Sequence, residues 1–235
     1  METYRQFLER TEAFITPELN IGDGDFKANP SLAQKVSAAN IFKSFYGDTV
    51  VFALDEMFKL RLSAAVDSLY AAAPECFCER LDTHSFHVTL HDLGNSAALK
   101  DVAEELFFNE LKVVDRKRVI RRLGKTPIRF KSTYIFNMVN TSLVLGLKPS
   151  NEKNYNKLMA LYSVFDDVKK LDYPLTPHIT LAYYNVNGFG ARAAESLAAV
   201  VNGLNRDIET EIAVGSLFYQ KFTDMNSYAD VIKLL

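Results

Sequence analysis

The chain has 235 residues, of which 48% are hydrophobic and 24% are charged, a composition typical of a folded domain rather than a disordered one. Its net charge at pH 7 is −2, so it lacks the strongly basic character of proteins that coat nucleic acid. The first residues show no secretory signal, and no apolar run approaches the roughly 18 residues that a membrane span needs. We therefore expect a cytoplasmic protein with no membrane segment.

Helices and strands alternate along the first half of the chain. Residues 1–14 have helical spacing of apolar side chains, and residues 16–32 are rich in Gly and Pro and predict a loop. The segments that follow are predicted in chain order as a short helix (31–45), a buried strand (49–55), a helix (56–73), a strand (85–93) and a helix (96–122) interrupted near Phe108 and Asn109.

The second half has the same character. The segments predicted here are two strands (127–139 and 141–148), a helix (150–168), a strand (174–184), a helix (190–203) and two closing strands (208–222 and 228–235).

The two halves contain a repeated unit of strand, helix and strand. "VVFALD", a helix and "FHVTL" form one copy, and "LVLGLK", a helix and "PHITL" form the other. Because the copies match, we expect one bilobal domain with a pseudo-two-fold axis. Its parts are an N-terminal extension (1–47), a lobe with the first His-x-Thr motif (48–125) and a lobe with the second (126–235).

The repeated histidine strands predict a polar cleft between the lobes. Side chains alternate between the faces of a strand, so His87, Thr89 and His91 share one face. In the second copy, His178, Thr180 and Tyr184 share one face by the same rule. If the polar faces meet, two imidazoles and two hydroxyls converge.

That set of groups suits phosphoryl chemistry. A neutral imidazole accepts a proton near pH 7 and an imidazolium donates one, so a pair can activate water and protonate a leaving oxygen. Hydroxyls can donate hydrogen bonds to the non-bridging phosphoryl oxygens. The sequence therefore predicts His87, Thr89, His178 and Thr180 as catalytic residues that need no metal and no cofactor. His91 and Tyr184 are further candidates for binding substrate.

The motifs His87-Val88-Thr89 and His178-Ile179-Thr180 resemble those of the 2H phosphoesterases, which include 2′-5′ RNA ligase-like proteins and cyclic phosphodiesterases. The resemblance covers roughly residues 48–235, and the N-terminal extension is similar to those of a less studied bacterial branch. It implies an α+β fold in which antiparallel sheets flanked by helices surround a central cleft. It also implies hydrolysis of a cyclic phosphodiester on a nucleotide or an RNA end.

Other interpretations of the same residues stay open. His84, His87 and His91 lie close in sequence and suggest a metal site, although the odd separation of His84 from His87 places them on opposite faces of a strand. The fold could also serve a module that binds a nucleotide or an RNA end without turnover. Cys76 and Cys78 are too few for a four-cysteine zinc site and predict ordinary reduced thiols.

The basic stretch 111–131 contains nine of the 27 Lys and Arg residues. It predicts either a contact with a phosphate backbone beside the cleft or a solvated helix end. The acidic pI of the chain, about 6.1, favours a small ligand over long RNA. We expect a monomer whose partner is its nucleotide or RNA-end substrate.

Overall fold

The computed structural model describes residues 2–22 and 24–235. Its five α-helices are α1 (Tyr4–Glu12), α2 (Glu56–Ala72), α3 (Leu99–Leu123), α4 (Glu152–Ser163) and α5 (Ala191–Leu204). Its eight strands are β1 (Tyr46–Ala53), β2 (His87–Ser96), β3 (Ile128–Met138), β4 (Ser142–Pro149), β5 (His178–Tyr183), β6 (Glu209–Ile212), β7 (Leu217–Phe222) and β8 (Tyr228–Lys233). Within these described residues, no helix is both long and apolar enough to cross a membrane.

The strands form two antiparallel sheets of four. The order is β2-β1-β7-β8 in the first sheet and β5-β4-β3-β6 in the second. Each sheet therefore has a histidine strand at its edge and the preceding strand of the repeat beside it. This correspondence is the predicted pseudo-two-fold relation, and it confirms the α+β fold class with two antiparallel sheets flanked by helices.

Burial explains why the inner strands of the repeat are almost wholly apolar. β1 and β4 lie between two neighbouring strands, and most of their residues are buried. The helices that follow them begin at side-chain caps, because Asp55 accepts a hydrogen bond from the Phe58 amide and Asn151 accepts one from the Asn154 amide. Strand, cap and helix thus recur in the same order in both copies.

The predicted division at residue 126 is wrong for the end of the chain. Strands β7 and β8 belong to the first sheet, because β7 pairs with β1, from Gly47 opposite Phe222 to Phe52 opposite Leu217. The second sheet is closed by β6, which pairs with β3. The sequence assigned all three strands to one lobe because local patterning does not specify which sheet a strand joins.

Two predicted helices also differ from the structure. The helix expected over 31–45 is only a short 3-10 turn (Pro30–Gln34), followed by an irregular segment that leads into β1. Helix α3 runs without interruption through Phe108 and Asn109, because Asn109 is buried and donates a hydrogen bond to Asp48. Cys76 and Cys78 are free and buried, and burial raises the pKa of each thiol to about 12.

The N-terminal segment packs along the second unit of the repeat. Its Phe26 exchanges backbone hydrogen bonds with Phe189, at 2.8 and 3.2 Å, and its ring stacks on that of Phe189 at 4.4 Å between centroids. The same ring packs on Tyr184 at 4.7 Å. These contacts hold the extension on the core.

Candidate active site

The two histidine strands border one large cavity of about 1130 Å³, here called the central cavity. β2 and β5 are edge strands of different sheets and lie against one another. His87, Thr89, His178 and Thr180 all line the central cavity. The structure therefore brings the four residues predicted from the two motifs into one place.

The two imidazoles are held in matching ways. Nδ1 of His87 lies 2.7 Å from the carbonyl oxygen of Ser85, and Nδ1 of His178 lies 2.7 Å from that of Thr176. A carbonyl oxygen only accepts, so each Nδ1 carries the hydrogen and donates. In the neutral ring this leaves the lone pair on Nε2, the nitrogen available for proton transfer.

Both rings are held in the neutral form by their surroundings. Burial lowers the pKa of His87 to about 4, against the opposing effects of the Ser85 carbonyl and the Asp92 carboxylate. A positive charge on His178 would lower the pKa of His87 further. Burial likewise lowers the pKa of His178. Near neutral pH the free site therefore presents two proton acceptors.

The two weaker substrate-binding candidates do not line the central cavity. His91 is 1% exposed and packs against Tyr162, with 4.7 Å between ring centroids, and Nδ1 of His91 donates to the Asp92 carbonyl. Tyr184 is fully buried beneath Phe26. Both predictions of a substrate contact are wrong on position, because each assumed strict alternation of faces along its strand.

A bulge breaks the alternation at the same place in both strands. On β2, Val51 pairs with Thr89 but Val50 pairs with His91, so Leu90 is skipped. On β5, Val144 pairs with Thr180 but Leu143 pairs with Ala182, so Leu181 is skipped. An extra residue of this kind turns the following side chains to the other face.

The bulges place Asp92 in the cavity wall instead of His91, and Tyr183 instead of Tyr184. The Asp92 carboxylate accepts a hydrogen bond of 2.8 Å from the Tyr173 hydroxyl. Its negative charge raises the pKa of both His87 and His178, against the larger opposite effect of burial. Asp92 is thus the acidic group that tunes the pair, and no regular strand pattern could have predicted it.

Tyr228 is a further cavity residue that the sequence analysis missed. It lies on the last strand, and its ring contacts that of His87 edge-on at 5.0 Å between centroids. It comes from β8, 141 positions after the histidine, and only the pairing of the C-terminal strands with the first sheet brings the two rings together. Sequence spacing carries no signal for such a contact.

The alternative metal site is not assembled. Nε2 of His84 lies 2.9 Å from the Asn226 carbonyl oxygen on an exposed turn, whereas His91 is buried between Tyr162 and Phe165. His87 alone of the three lines the central cavity. The three histidines therefore point to three different environments.

The basic stretch lies apart from the site. Most of it forms the second half of α3, and none of its Lys or Arg residues within 111–131 lines the central cavity. One member, Arg116, pairs with Asp167 at 3.6 Å. The stretch is a charged helix end outside the cavity wall and contributes no contact to the histidines.

Comparisons with known proteins bear on the fold. No family model matches the sequence, and no curated protein is significantly similar to it. Among solved structures, a conserved protein of unknown function from Agrobacterium tumefaciens strain C58 superposes with a TM-score of 0.64 and 16% identity, over 95% of this chain and 99% of that one. At 16% identity the likeness is one of fold.

Two further solved structures have lower scores. One is described as a phosphoesterase, with a TM-score of 0.47 and 13% identity over 80% of this chain and 96% of that one. The other is E. coli LigT in complex with NADP+, with a TM-score of 0.43 and 13% identity over 79% and 94% of the two chains. The α+β fold itself is given by the two four-stranded antiparallel sheets and the helices that flank them.

Proposed function

We propose that the protein is a phosphoesterase of the 2H type that hydrolyses a cyclic phosphodiester by paired-histidine acid–base catalysis. The observation that supports this most directly is the matched pair of imidazoles in one cavity. Each ring is fixed through Nδ1 by the carbonyl two residues before it, and each has Nε2 left for proton transfer. A histidine with a purely structural role would not need this arrangement twice.

The proposed reaction adds water across a strained P–O bond. Nε2 of one imidazole accepts a proton from the attacking water, and the new P–O bond forms as the ring ester bond breaks. The other ring, as imidazolium, gives its proton to the departing sugar oxygen. The two rings exchange protonation states in one turnover, and exchange with solvent restores them. Two imidazoles suffice for this sequence, so the proposed reaction requires no metal.

The substrate supplies the charge that the free site lacks. Both histidines have lowered pKa values without ligand, so neither is a ready proton donor at neutral pH. A phosphodiester carries one negative charge, and a nearby negative charge raises the pKa of an imidazole. Binding of the phosphodiester therefore favours protonation of one ring, which becomes the acid.

The threonines complete the proposed site. Thr89 and Thr180 line the central cavity two residues after each histidine, on the same face of their strands. Their hydroxyls are suited to donate hydrogen bonds to the non-bridging oxygens as negative charge builds up on them. We propose a 2′,3′-cyclic phosphate, on a nucleotide or an RNA end, as the substrate.

A turnover screen tests this function. Nucleoside 2′,3′-cyclic phosphates and an oligonucleotide with a cyclic phosphate end are incubated with the protein in EDTA, and the products are separated by chromatography. We expect a phosphomonoester product that forms at an undiminished rate in EDTA. Tight binding with no product would instead support the module that binds nucleotide without turnover. Activity that EDTA abolishes and Zn²⁺ restores would contradict the metal-independent reaction.

A further inference from the structure

The N-terminal segment places a lysine in the wall of the central cavity. The lining residues with full charges are Arg10, Glu18, Lys35 and Asp92. Arg10 is paired with Glu2 at 2.7 Å, and the carboxylate of Asp92 accepts from Tyr173. No carboxylate among residues 2–22 and 24–235 forms an ion pair with Lys35. Lys35 is thus the cation in this wall that is open to an anionic ligand.

Aromatic rings fix the position of this ammonium group. Nζ of Lys35 lies 5.1 Å from the centroid of the Phe45 ring and 5.6 Å from that of the Tyr183 ring. A cation over a ring face is attracted by the ring quadrupole, but the ring carries no net charge. The two rings therefore orient Lys35 without neutralising it.

The backbone around Lys35 is held as well. The Lys35 amide donates to the Leu32 carbonyl, and the Lys35 carbonyl accepts from the Lys43 amide, at 2.9 and 2.8 Å. The Phe45 amide donates to the Thr223 carbonyl at 2.8 Å, which ties the end of the segment to the first sheet. The lysine thus belongs to an ordered part of the wall, and a bound anion would not have to order it first.

A line of rings connects Lys35 to the proposed catalytic histidine. Phe45 stacks on Phe222 with 6.1 Å between centroids, Phe222 packs on Tyr228 at 5.3 Å, and Tyr228 contacts His87 at 5.0 Å. All of these side chains line the central cavity. Apolar ring faces suit a nucleobase or sugar, so the wall offers a surface for the body of a nucleotide between two positions that suit phosphate.

We infer that Lys35 forms a second anion position in the central cavity, and that the ligand is a nucleotide with a second phosphate besides the phosphodiester held at the histidines. This inference rests on the proposed function for the identity of the first phosphate. It explains why the N-terminal segment, which lies outside the strand–helix–strand repeat, contributes to the site. It also makes Lys35 a residue that determines specificity and takes no part in proton transfer.

Two compounds and three variants test the inference. The substrates are adenosine 2′,3′-cyclic phosphate and the same compound with a 5′-phosphate. The variants are Lys35→Met, Lys35→Arg and, as the matched control, Lys43→Met. Lys43 lies in the same segment and is exposed, and its Nζ donates to the Ala33 carbonyl instead of lining the cavity. Circular dichroism and thermal unfolding show whether each variant folds.

The wild type is expected to have a higher kcat/KM for the 5′-phosphorylated compound, on the order of tenfold, since a hydrogen bond between charged groups is worth more than a neutral one. Lys35→Met should abolish this preference, because the Met side chain offers no charge to the second phosphate. Lys35→Arg should retain most of the preference, and Lys43→Met should retain all of it. Equal preference in the wild type and in Lys35→Met would overturn the inference.

Binding separates this inference from the proposed function. Calorimetry compares adenosine 2′- and 3′-phosphates with the corresponding 5′-phosphorylated bisphosphates, at one ionic strength. Tighter binding of a bisphosphate that Lys35→Met removes would support the second anion position even if no compound were turned over. If no bisphosphate binds more tightly than its monophosphate, the inference is wrong, whether or not the cyclic compounds are hydrolysed.

Discussion

His87 and His178 carry the same hydrogen bond at Nδ1, yet their surroundings differ. The ring of His87 packs edge-on against Tyr228, and its Nδ1 bonds to the Ser85 carbonyl. The carbonyl that holds His178 belongs to Thr176, whose hydroxyl accepts a hydrogen bond from Arg10. The repeat makes the two motifs equivalent in sequence, whereas the rest of the chain makes them inequivalent in space. Which ring is the base therefore depends on how these neighbours orient the substrate.

Removal of either imidazole should cost most of the activity. We expect His87→Ala and His178→Ala each to lower kcat by about 10²–10⁴-fold, because each loses a proton-transfer partner. Thr89→Val and Thr180→Val should cost about 10–10³-fold, the effect of losing one donor to a charged oxygen. Steady-state kinetics on a cyclic nucleotide measures both.

The control is His84→Ala, because His84 is exposed and does not line the central cavity. Its kcat should equal that of the wild type. The double variant of His87 and His178 should be far less impaired than the product of the single effects, since groups that act together lose their effect together. If the effects of the two single variants on kcat multiplied in the double variant, or if only KM changed, the acid–base pair would be contradicted.

Asp92 acts on both imidazoles through its charge. Its negative charge raises the pKa of both His87 and His178, so Asp92→Asn should lower both. The acid limb of the kcat/KM profile belongs to the group that must lose its proton, and the alkaline limb to the group that must keep it. Both limbs should therefore move to lower pH in the variant, as pH–rate measurements would show.

Asp166→Asn is the matched control for this shift. Asp166 lies 3.7 Å from Nε2 of the buried His91 and does not line the central cavity. Its removal should leave the profile in place. A shift in Asp166→Asn but not in Asp92→Asn would mean that His91, rather than the two motif histidines, titrates in the reaction.

Among the helices and strands, the sequence predicted the features that depend on local pattern. The inner strands of the repeat, the helices that follow them and the faces of His87, Thr89, His178 and Thr180 all follow from periodicity, because each depends on residues a few positions apart. The skipped Leu90 and Leu181 leave no trace in the pattern, since apolar side chains are expected at both positions in a regular strand.

Contacts that join distant parts of the chain could not be predicted from local pattern. β7 joins the first sheet by pairing with β1 across about 170 positions, and Tyr228 reaches His87 for the same reason. The segment 31–45 has the composition of a helix but forms one only over Pro30–Gln34, because the hydrogen bonds that follow go to other partners. Packing against the core outweighs local propensity there.

Helix α1 supports the backbone next to His178 through one side chain, that of Arg10. Arg10, near its end, donates to the Thr176 hydroxyl at 3.0 Å and to the Leu175 carbonyl at 2.8 Å, and is itself paired with Glu2. These bonds fix the backbone whose next carbonyl holds Nδ1 of His178. Arg10 is therefore a positioning residue for the histidine, supplied by a helix outside the repeat.

We expect Arg10→Met to lower kcat by about tenfold to a hundredfold with a smaller change in KM, because a small displacement of a reacting group is costly. The His178 ring signals in a histidine NMR spectrum should shift or broaden, while those of His87 stay in place. Arg5→Met on the same helix is the control, since Arg5 is exposed and pairs with Glu9. Equal effects of the two variants, or an unchanged His178 signal, would exclude the positioning role.

One buried carboxylate joins three strands of the first sheet to helix α3. Asp48 of β1 is 1% exposed and accepts hydrogen bonds from the Gly94 amide, Asn109 and the Tyr219 hydroxyl, which lie on β2, α3 and β7. Burial outweighs these bonds and raises the pKa of Asp48 to about 6. The group therefore gains a proton on folding at mildly acidic pH, in contrast to the three histidines whose pKa values are lowered.

The Asp48 carboxyl and the histidines have opposite effects on how the free energy of unfolding changes with pH. A carboxyl with a raised pKa adds stability at low pH that is lost as the pH rises through about 6. A histidine with a lowered pKa adds stability at neutral pH that is lost as the pH falls below about 6.5, where the unfolded chain takes up the proton first. The pKa values of His87, His91 and His178 are all lowered. As the pH falls from about 6 to 4, protonation of these three histidines favours the unfolded chain, whereas protonation of Asp48 favours the folded one.

The free energy of unfolding should therefore fall when the pH is lowered from 7.5 to 5, and the fall should be steeper in Asp48→Asn. The variant lacks the one group whose protonation favours the folded state in this range, and its contribution is on the order of 1–3 kcal/mol. Urea unfolding at a series of pH values measures the slope, and comparison within each variant cancels any change in stability that is independent of pH. Asp55→Asn is the control, because the Asp55 carboxylate likewise accepts a backbone hydrogen bond but is exposed. A parallel slope in Asp48→Asn and the wild type would show that Asp48 keeps its charge on folding, and that its three donors outweigh burial.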